Sequence, residues 1–82
     1  MGISVYPNPA TNFMTVELQS VLSQEVELNL VNMLGQTVYT SQSNTSSGAV
    51  KININTASLP RGVYLLQVKT PNGIQVKKVE LQ

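Results

Sequence analysis

The chain has 82 residues, of which 41% are hydrophobic and 11% charged, and its formal net charge is +1. This length fits one domain that buries roughly 60 to 65% of its unfolded-chain surface, and the composition is too apolar for a disordered tail. The nearly balanced charge provides no basic surface for nucleic acid or an anionic membrane. No apolar run approaches the ~18 to 20 residues that a membrane-inserted segment needs.

The residue inventory argues against catalysis and metal binding. His and Cys are absent, and the acidic residues are four glutamates: Glu17, Glu25, Glu27 and Glu80. General acid–base and triad mechanisms need a positioned His, carboxylate or thiol, while zinc and calcium need His, Cys or several converging oxygens. Because the glutamate spacing sets up no acid and base pair, we predict no enzyme activity, no cofactor and no metal site.

Short alternating strands are predicted along the N-terminal half. Residues 3–6 read as a brief edge strand that Pro7-Asn8-Pro9 stops, since proline removes ladder donors. Residues 12–18 and 25–31 alternate with period two. Their inward residues are Met14, Val16, Leu18, Val26, Leu28 and Leu30, and Glu25, Glu27 and Asn29 are expected to face water. The polar stretch between these strands, residues 19–24, is predicted to be a loop.

The middle of the chain predicts a second hairpin. Gly35 can adopt the positive φ of a turn, and residues 36–41 return with Val38 and Tyr39 as large side chains. Residues 42–48 have the Ser, Thr, Asn and Gly content of a loop, the expected flexible segment. Residues 49–55 then alternate again, as a half-buried strand.

The C-terminal stretch contains the clearest hairpin signal. Residues 62–70 and 74–81 flank Pro71-Asn72-Gly73, where Asn and Gly readily adopt a positive φ. The first run is apolar on both faces at its start, so it is predicted to be a central strand. In the second run Ile74 and Val76 are out of phase with Val79 and Leu81, which predicts a β-bulge at Lys77-Lys78.

Seven short strands with frequent turn signals predict an all-β fold, an immunoglobulin-like β-sandwich of about seven antiparallel strands. Nine residues are expected to be buried between its sheets. They are Val26, Leu28, Leu30, Val38, Ile52, Ile54, Tyr64, Leu66 and Val68.

Three motifs, in order along nearly the whole chain, resemble one protein family. They are Tyr6-Pro7-Asn8-Pro9-Ala10, then Asn32-Met33-Leu34-Gly35-Gln36-Thr37-Val38, then Gly62-Val63-Tyr64-Leu65-Leu66-Gln67-Val68 with Lys77-Lys78-Val79-Glu80-Leu81 at the end. This set is similar to the type A C-terminal sorting domains of type IX (Por) secretion cargo in Bacteroidetes-type bacteria. Asn32 departs from the aspartate common there, but Asn and Asp serve similar turn roles.

The resemblance implies a function. Such a domain is a non-catalytic signal that targets a larger cargo, N-terminal to it in the parent chain, through the type IX outer-membrane translocon to the cell surface or medium. A sortase-like peptidase commonly removes it afterwards. On this interpretation residues 3–82 form one sorting domain, and Met1 and Gly2 are an added start.

The resemblance also suggests which residues matter. The motif residues are Pro7, Asn8, Pro9, Gly35, Gly62 and Tyr64. The candidate recognition residues belong to the terminal strand: Lys77, Lys78, Val79, Glu80, Leu81 and Gln82.

Each of these assignments has a structural alternative. Pro7-Asn8-Pro9 either marks the start of the sorting domain or is only a rigid corner, and Tyr64 is a ligand contact or a corner tyrosine. Lys77 and Lys78 are read by the secretion machinery, or they only protect an exposed strand edge. The rival function is an accessory module of an extracellular hydrolase, either a spacer or a carbohydrate binder. Such a binder would have four aromatic residues available: Tyr6, Phe13, Tyr39 and Tyr64.

Overall fold

The segments in which apolar and polar residues alternate are β-strands in the structure. The computed structural model describes residues 2–20, 24–45, 48–71 and 73–82. Within these ranges lie the strands β1 (Gly2–Tyr6), β2 (Phe13–Ser20), β3 (Gln24–Val31), β4 (Thr37–Thr45), β5 (Gly48–Asn55), β6 (Gly62–Thr70) and β7 (Gly73–Leu81). The predicted all-β class is therefore confirmed. In the same ranges no helix is long and apolar enough to cross a membrane.

The strands form two antiparallel sheets. One has the order β1-β2-β5 and the other the order β4-β3-β6-β7. Their apolar faces pack together, as in an immunoglobulin-like sandwich. The predicted central position of β6 is confirmed, since it pairs with β3 on one side and β7 on the other. The predicted edge position of β1 is confirmed too.

The core lies between the sheets and consists of the inward residues of both. The buried hydrophobic residues are Ala10, Met14, Val16, Leu18, Val26, Leu28, Leu30, Ile54, Tyr64, Leu66, Val68, Val79 and Leu81. Two of the nine predicted core residues, Val38 and Ile52, are only partly buried, although they pack against this cluster. They lie on the edge strands β4 and β5, which have a neighbouring strand on one side only, although Ile54 of β5 is fully buried.

Two predicted loops are shorter than their polar composition indicates. β2 continues to Ser20 and β3 begins at Gln24, and the other residues of that predicted loop, 21–23, lie outside the described ranges. β4 continues to Thr45, because residues 42–45 pair with residues 24–27 of β3. The prediction of a loop is wrong for 42–45, where backbone pairing outweighs side-chain preference; residues 46–47 are not described.

The predicted turns lie where the sequence indicates. Gly35 has a φ of +85° at the tip of the β3–β4 hairpin. Thr70 pairs with Gly73 at the β6–β7 connection, and Asn72 of the predicted turn lies outside the described residues. A register irregularity interrupts the pairing of β3 with β4 between Leu30 and Val31.

Candidate functional site

The terminal strand β7 lies at one edge of the four-stranded sheet and pairs with β6 in an unbroken register. The predicted β-bulge at Lys77-Lys78 is therefore wrong. The sequence suggested a change of phase because Ile74 and Val76 are apolar, but their side chains are 61% and 53% exposed on the outer face. The apparent change of phase thus comes from two apolar residues on the solvent-facing side of an edge strand.

The six candidate recognition residues divide by exposure. Val79 and Leu81 are each 2% exposed and belong to the sandwich core. The exposed ones are Lys77, Lys78, Glu80 and Gln82. Lys77 shares the inward phase of Val79, yet it is exposed.

The N-terminal motif lies against the end of β7. The Ala10 N–H donates to the Glu80 carbonyl and the Gln82 N–H donates to the Ala10 carbonyl, each over 2.8 Å. The Asn8 side-chain oxygen accepts the N–H of Glu80 at 3.2 Å. These bonds form a short parallel bridge on the side of β7 opposite β6. The sequence indicated a corner at this motif, and no pattern in it indicates that the corner covers the terminal strand.

The two prolines of the motif lie on the surface, next to a residue that enters the core. Pro7 and Pro9 are exposed, and each follows a cis peptide bond. Ala10, directly after them, is 1% exposed and enters the core. The motif therefore ends an edge strand and places one small residue beside the end of the chain.

Arg61 joins the same region through backbone carbonyls. One terminal nitrogen of its guanidinium, Nη1, donates to the carbonyl of Thr11 at 2.5 Å and to that of Gln82 at 3.3 Å. The other, Nη2, donates to Leu59 at 2.7 Å and also to Thr56. The planar guanidinium suits such converging acceptors. Sequence reasoning missed this residue, because a single arginine in a turn does not show which carbonyls converge on it.

Tyr64 is a corner tyrosine. Its side chain is 4% exposed, and its hydroxyl donates to the Pro60 carbonyl, four residues upstream, at 2.5 Å. A buried tyrosine hydroxyl bonded back to the preceding turn is a feature of immunoglobulin-like corners. Gly62, between the two, has a φ of +147°, and a side chain there would meet no atom within 4 Å. Its backbone conformation is thus what favours glycine.

The middle motif forms a turn on the tip of the β3–β4 hairpin. The Asn32 side-chain oxygen accepts the N–H of Leu34 at 2.9 Å and that of Gln36 at 3.0 Å. This is the turn role expected of Asn or Asp at that position. Met33 and Leu34 are 68% and 84% exposed at the tip, so these two residues shape the turn and contribute nothing to the core.

A charged cluster lies on the outer face of the four-stranded sheet. Lys69 is 3.5 Å from Glu27, and Asn29 donates to the same Glu27 oxygen at 2.9 Å. The Asn29 bond lowers the pKa of Glu27 below its ordinary value; desolvation opposes this, and Lys69 lowers the pKa further. Asn29, predicted to face water, is only 7% exposed, and Glu27 and Thr40 bond to the two ends of its amide.

The outer face of the three-stranded sheet carries two exposed aromatic residues. Phe13 is 54% and Tyr6 is 40% exposed, while Tyr39 is partly buried. A shallow depression lies beside Phe13 between Asn53 and Asn55. The oxygens of these two amides accept bonds from Thr15 and the Ala57 N–H. In the described ranges no three acidic, His or Cys residues gather as metal ligands.

Comparison with known proteins decides between the candidate functions. Residues 4–82 match the model of the secretion system C-terminal sorting domain family. The chain belongs to this family. It is therefore a C-terminal sorting signal of type IX secretion, as the three motifs predicted.

The sorting domain is also similar to two characterised enzymes. It is 29% identical over 76 residues to an endo-acting ulvan lyase of Formosa agariphila, and 32% identical over 80 residues to ulvan lyase NLR42 of Nonlabens ulvanivorans. The matches cover 93% and 98% of this chain but 14% of each enzyme. The sorting domain thus corresponds to a small part of a larger protein that the secretion system exports to the cell surface or the surrounding medium.

Proposed function

We propose that this sorting domain carries a larger cargo through the type IX outer-membrane translocon, and that the machinery reads the exposed part of β7. The domain itself catalyses no reaction, holds no cofactor, and is removed by a sortase-like peptidase after export. The observation that supports this is the position of β7: an edge strand whose Val79 and Leu81 anchor it while Lys77 and Lys78 remain in solvent. A firmly held strand with exposed side chains and one open side suits recognition by another protein.

The names of the two relatives support a proposal about the cargo. Both are named ulvan lyases, so we propose a polysaccharide-degrading enzyme as the cargo N-terminal to residues 3–82. Export of such an enzyme places it where polymeric substrate is, outside the cell.

The test is a reporter fusion. Residues 3–82 are fused behind a signal-peptide-bearing reporter in a host with type IX secretion, and the reporter is measured in the medium, on the surface and in the periplasm. We expect export; a reporter retained in the periplasm would contradict the proposed function.

Charge recognition is tested in the same assay. Lys77 and Lys78 are replaced together by Gln, which keeps strand length and pairing and deletes two exposed charges. Exposed substitutions usually change stability by less than about 0.5 kcal/mol, so the domain should fold and export should fall. Lys51→Gln, an exposed lysine on the other sheet, is the control. Normal export of the double variant would mean that these lysines only protect the edge.

A second candidate function has one supporting observation, the exposed pair Tyr6 and Phe13 with asparagine amides beside them. Aromatic faces with nearby amides suit a sugar polymer, because amides both donate and accept hydrogen bonds. Titration calorimetry with ulvan oligosaccharides tests this. Binding that Phe13→Ala abolishes would support a carbohydrate-binding role, and absence of binding would leave the sorting role alone.

A further inference from the structure

The open side of β7 is limited to a short length, and its backbone orientation can be determined. Both the N–H and the carbonyl of Glu80 bond to residues 8–10, on the side away from β6. Backbone groups of a β-strand point to alternate sides with a period of two. Ile74, Val76 and Lys78 therefore also direct their N–H and carbonyl groups away from β6. In the described ranges no strand pairs with β7 on that side.

This leaves a defined docking edge, residues 74–78. Toward the C-terminus the bridge of residues 8–10 occupies the edge from Glu80 onward. Toward the N-terminus the edge ends at the hairpin connection beside Gly73. A strand of about five residues, paired with the three outward residues of the docking edge, is what fits.

Charge distinguishes this edge from the others. In the described part of the chain the edge strands are β1, β4, β5 and β7. β1 and β4 carry no charged residue and β5 carries Lys51, whereas β7 carries Lys77 and Lys78 side by side and, beyond the docking edge, Glu80. Between Gly73 and Val79 there is no carboxylate, so neither lysine is neutralised within the docking edge.

The side chains also define the two faces that a partner would meet. Ile74 and Val76 present apolar groups on the outer face. Lys78 follows them on the same face, and Lys77 lies on the opposite one. An added strand would bury its own apolar residues beside Ile74 and Val76 and bring acidic residues beside the lysines, since opposite charges stabilise cross-strand pairs.

A second copy of the chain is a poorer occupant. If two β7 strands paired antiparallel about Val76, each Lys78 would face an Ile74 and no carboxylate would meet a lysine. Lysine on an edge strand is a common obstacle to such self-pairing.

Resting on the proposed function, we propose that the partner in the secretion machinery adds an antiparallel strand to residues 74–78. This strand has apolar residues opposite Ile74 and Val76 and acidic residues opposite Lys77 and Lys78. Residues 79–82 are not read as side chains; they hold β7 in place through the core and the bridge to residues 8–10.

Binding is tested with the 82-residue chain and a designed probe. The probe is acetyl-Thr-Glu-Glu-Val-Thr-Val-Thr-amide, whose acidic pair aligns with the lysines in an antiparallel strand, and its control has Lys in place of both Glu. Titration followed by amide NMR shifts should show saturable changes centred on residues 74–78, with the control at least about tenfold weaker. Shifts elsewhere, or equal binding of both peptides, would overturn the inference.

Val76→Pro tests the backbone. Proline removes the outward N–H of Val76 without removing a bond to β6, so it is tolerated at an edge. It should weaken probe binding by about tenfold or more, whereas Val76→Ile keeps the N–H and should bind normally. If thermal unfolding shows that Val76→Pro does not fold, Lys78→Pro and its control Lys78→Gln make the same comparison. Unchanged binding in the folded proline variant would overturn strand addition.

Export separates this inference from the proposed function. With a wild-type fusion that is exported, the inference requires that the proline variant be retained and Val76→Ile be exported; equal export of both would overturn it. A wild-type fusion that is not exported contradicts the proposed function, while the peptide titration still decides the strand addition. A dimer in light scattering that Val76→Pro dissociates would identify a second copy as the occupant and overturn the proposed partner.

Discussion

The N–H of Gln82 donates to the carbonyl of Ala10 over 2.8 Å, which joins the two ends of the domain. Because Ala10 also donates to Glu80, the end of β7 is held from outside the sheet as well as by β6. The terminal strand is thus fixed by the N-terminal motif, and the motif and this strand form one structural unit.

Arg61 should control how firmly this end is held. Arg61→Lys keeps the positive charge but loses the planar fork that reaches the carbonyls of Thr11 and Gln82. We expect faster hydrogen exchange of the Gln82 amide, with little change for amides in the middle of β3. Lys51→Arg serves as the control for exchanging the two cations. An unchanged exchange rate at Gln82 would show that the arginine does not stabilise the end of β7.

Leu66 should dominate core stability on β6. It is fully buried between the sheets, so Leu66→Ala should cost about 2 to 5 kcal/mol, from lost burial and the cavity left behind. That is a large part of the stability of a small domain. Urea unfolding measures the change, and Leu34→Ala, at a residue that is 84% exposed, should leave the midpoint nearly unchanged. A small effect at Leu66 would mean that the strand faces are assigned wrongly.

The corner tyrosine gives a smaller and more specific prediction. Tyr64→Phe keeps the buried ring and deletes the hydroxyl that bonds to the Pro60 carbonyl. We expect the free energy of unfolding to fall by about 0.5 to 1.5 kcal/mol, the usual net contribution of one hydrogen bond. Tyr39→Phe, on an edge strand, is the matched removal of a hydroxyl. Equal losses in the two variants would argue against a special role for the corner.

The stability of the domain should depend on pH through Glu27. Its folded-state pKa lies below the ordinary value of 4.5, so folding favours the ionised form. The stabilisation is present at neutral pH and is lost as the pH falls through the folded-state pKa. The melting temperature of wild type relative to Glu27→Gln should therefore decrease on acidification from about pH 6 to about pH 3. A constant difference over that range would contradict the stabilisation of ionised Glu27 by Asn29 and Lys69, and Glu25→Gln controls for the loss of one carboxylate.

Local patterns in the sequence were sufficient for the fold and for part of the site. The period-two alternation of Val26, Leu28 and Leu30 identifies a strand with one buried face, and Gly35 identifies its turn. Burial at the edges was less predictable, because Val38 has the same chemistry as a core valine and only the position of β4 at the sheet edge leaves it half-buried. The predicted bulge at Lys77-Lys78 is wrong for a related reason: an apolar side chain such as Ile74 on an exposed edge resembles a core residue in sequence.

The contacts around the end of β7 could not be predicted, since each joins segments distant in sequence and uses a backbone group on at least one side. Asn8 and Ala10 bond to residues whose identity hardly matters for those bonds, so no residue pattern records the pairing. The carbonyls that meet at Arg61 are of the same kind.

The bridge between residues 8–10 and the end of β7 also sets an order of events. Asn8 and Glu80 are 72 residues apart in sequence, and chains are made from the N-terminus at about 5 to 20 residues per second. Asn8 and Ala10 therefore lack these partners until nearly all of the domain has been synthesised. Chains stalled on the ribosome before Glu80 should be cleaved by protease within the motif, and chains stalled well past Gln82 should resist. The fold is therefore completed only in chains that contain both residues 8–10 and the end of β7.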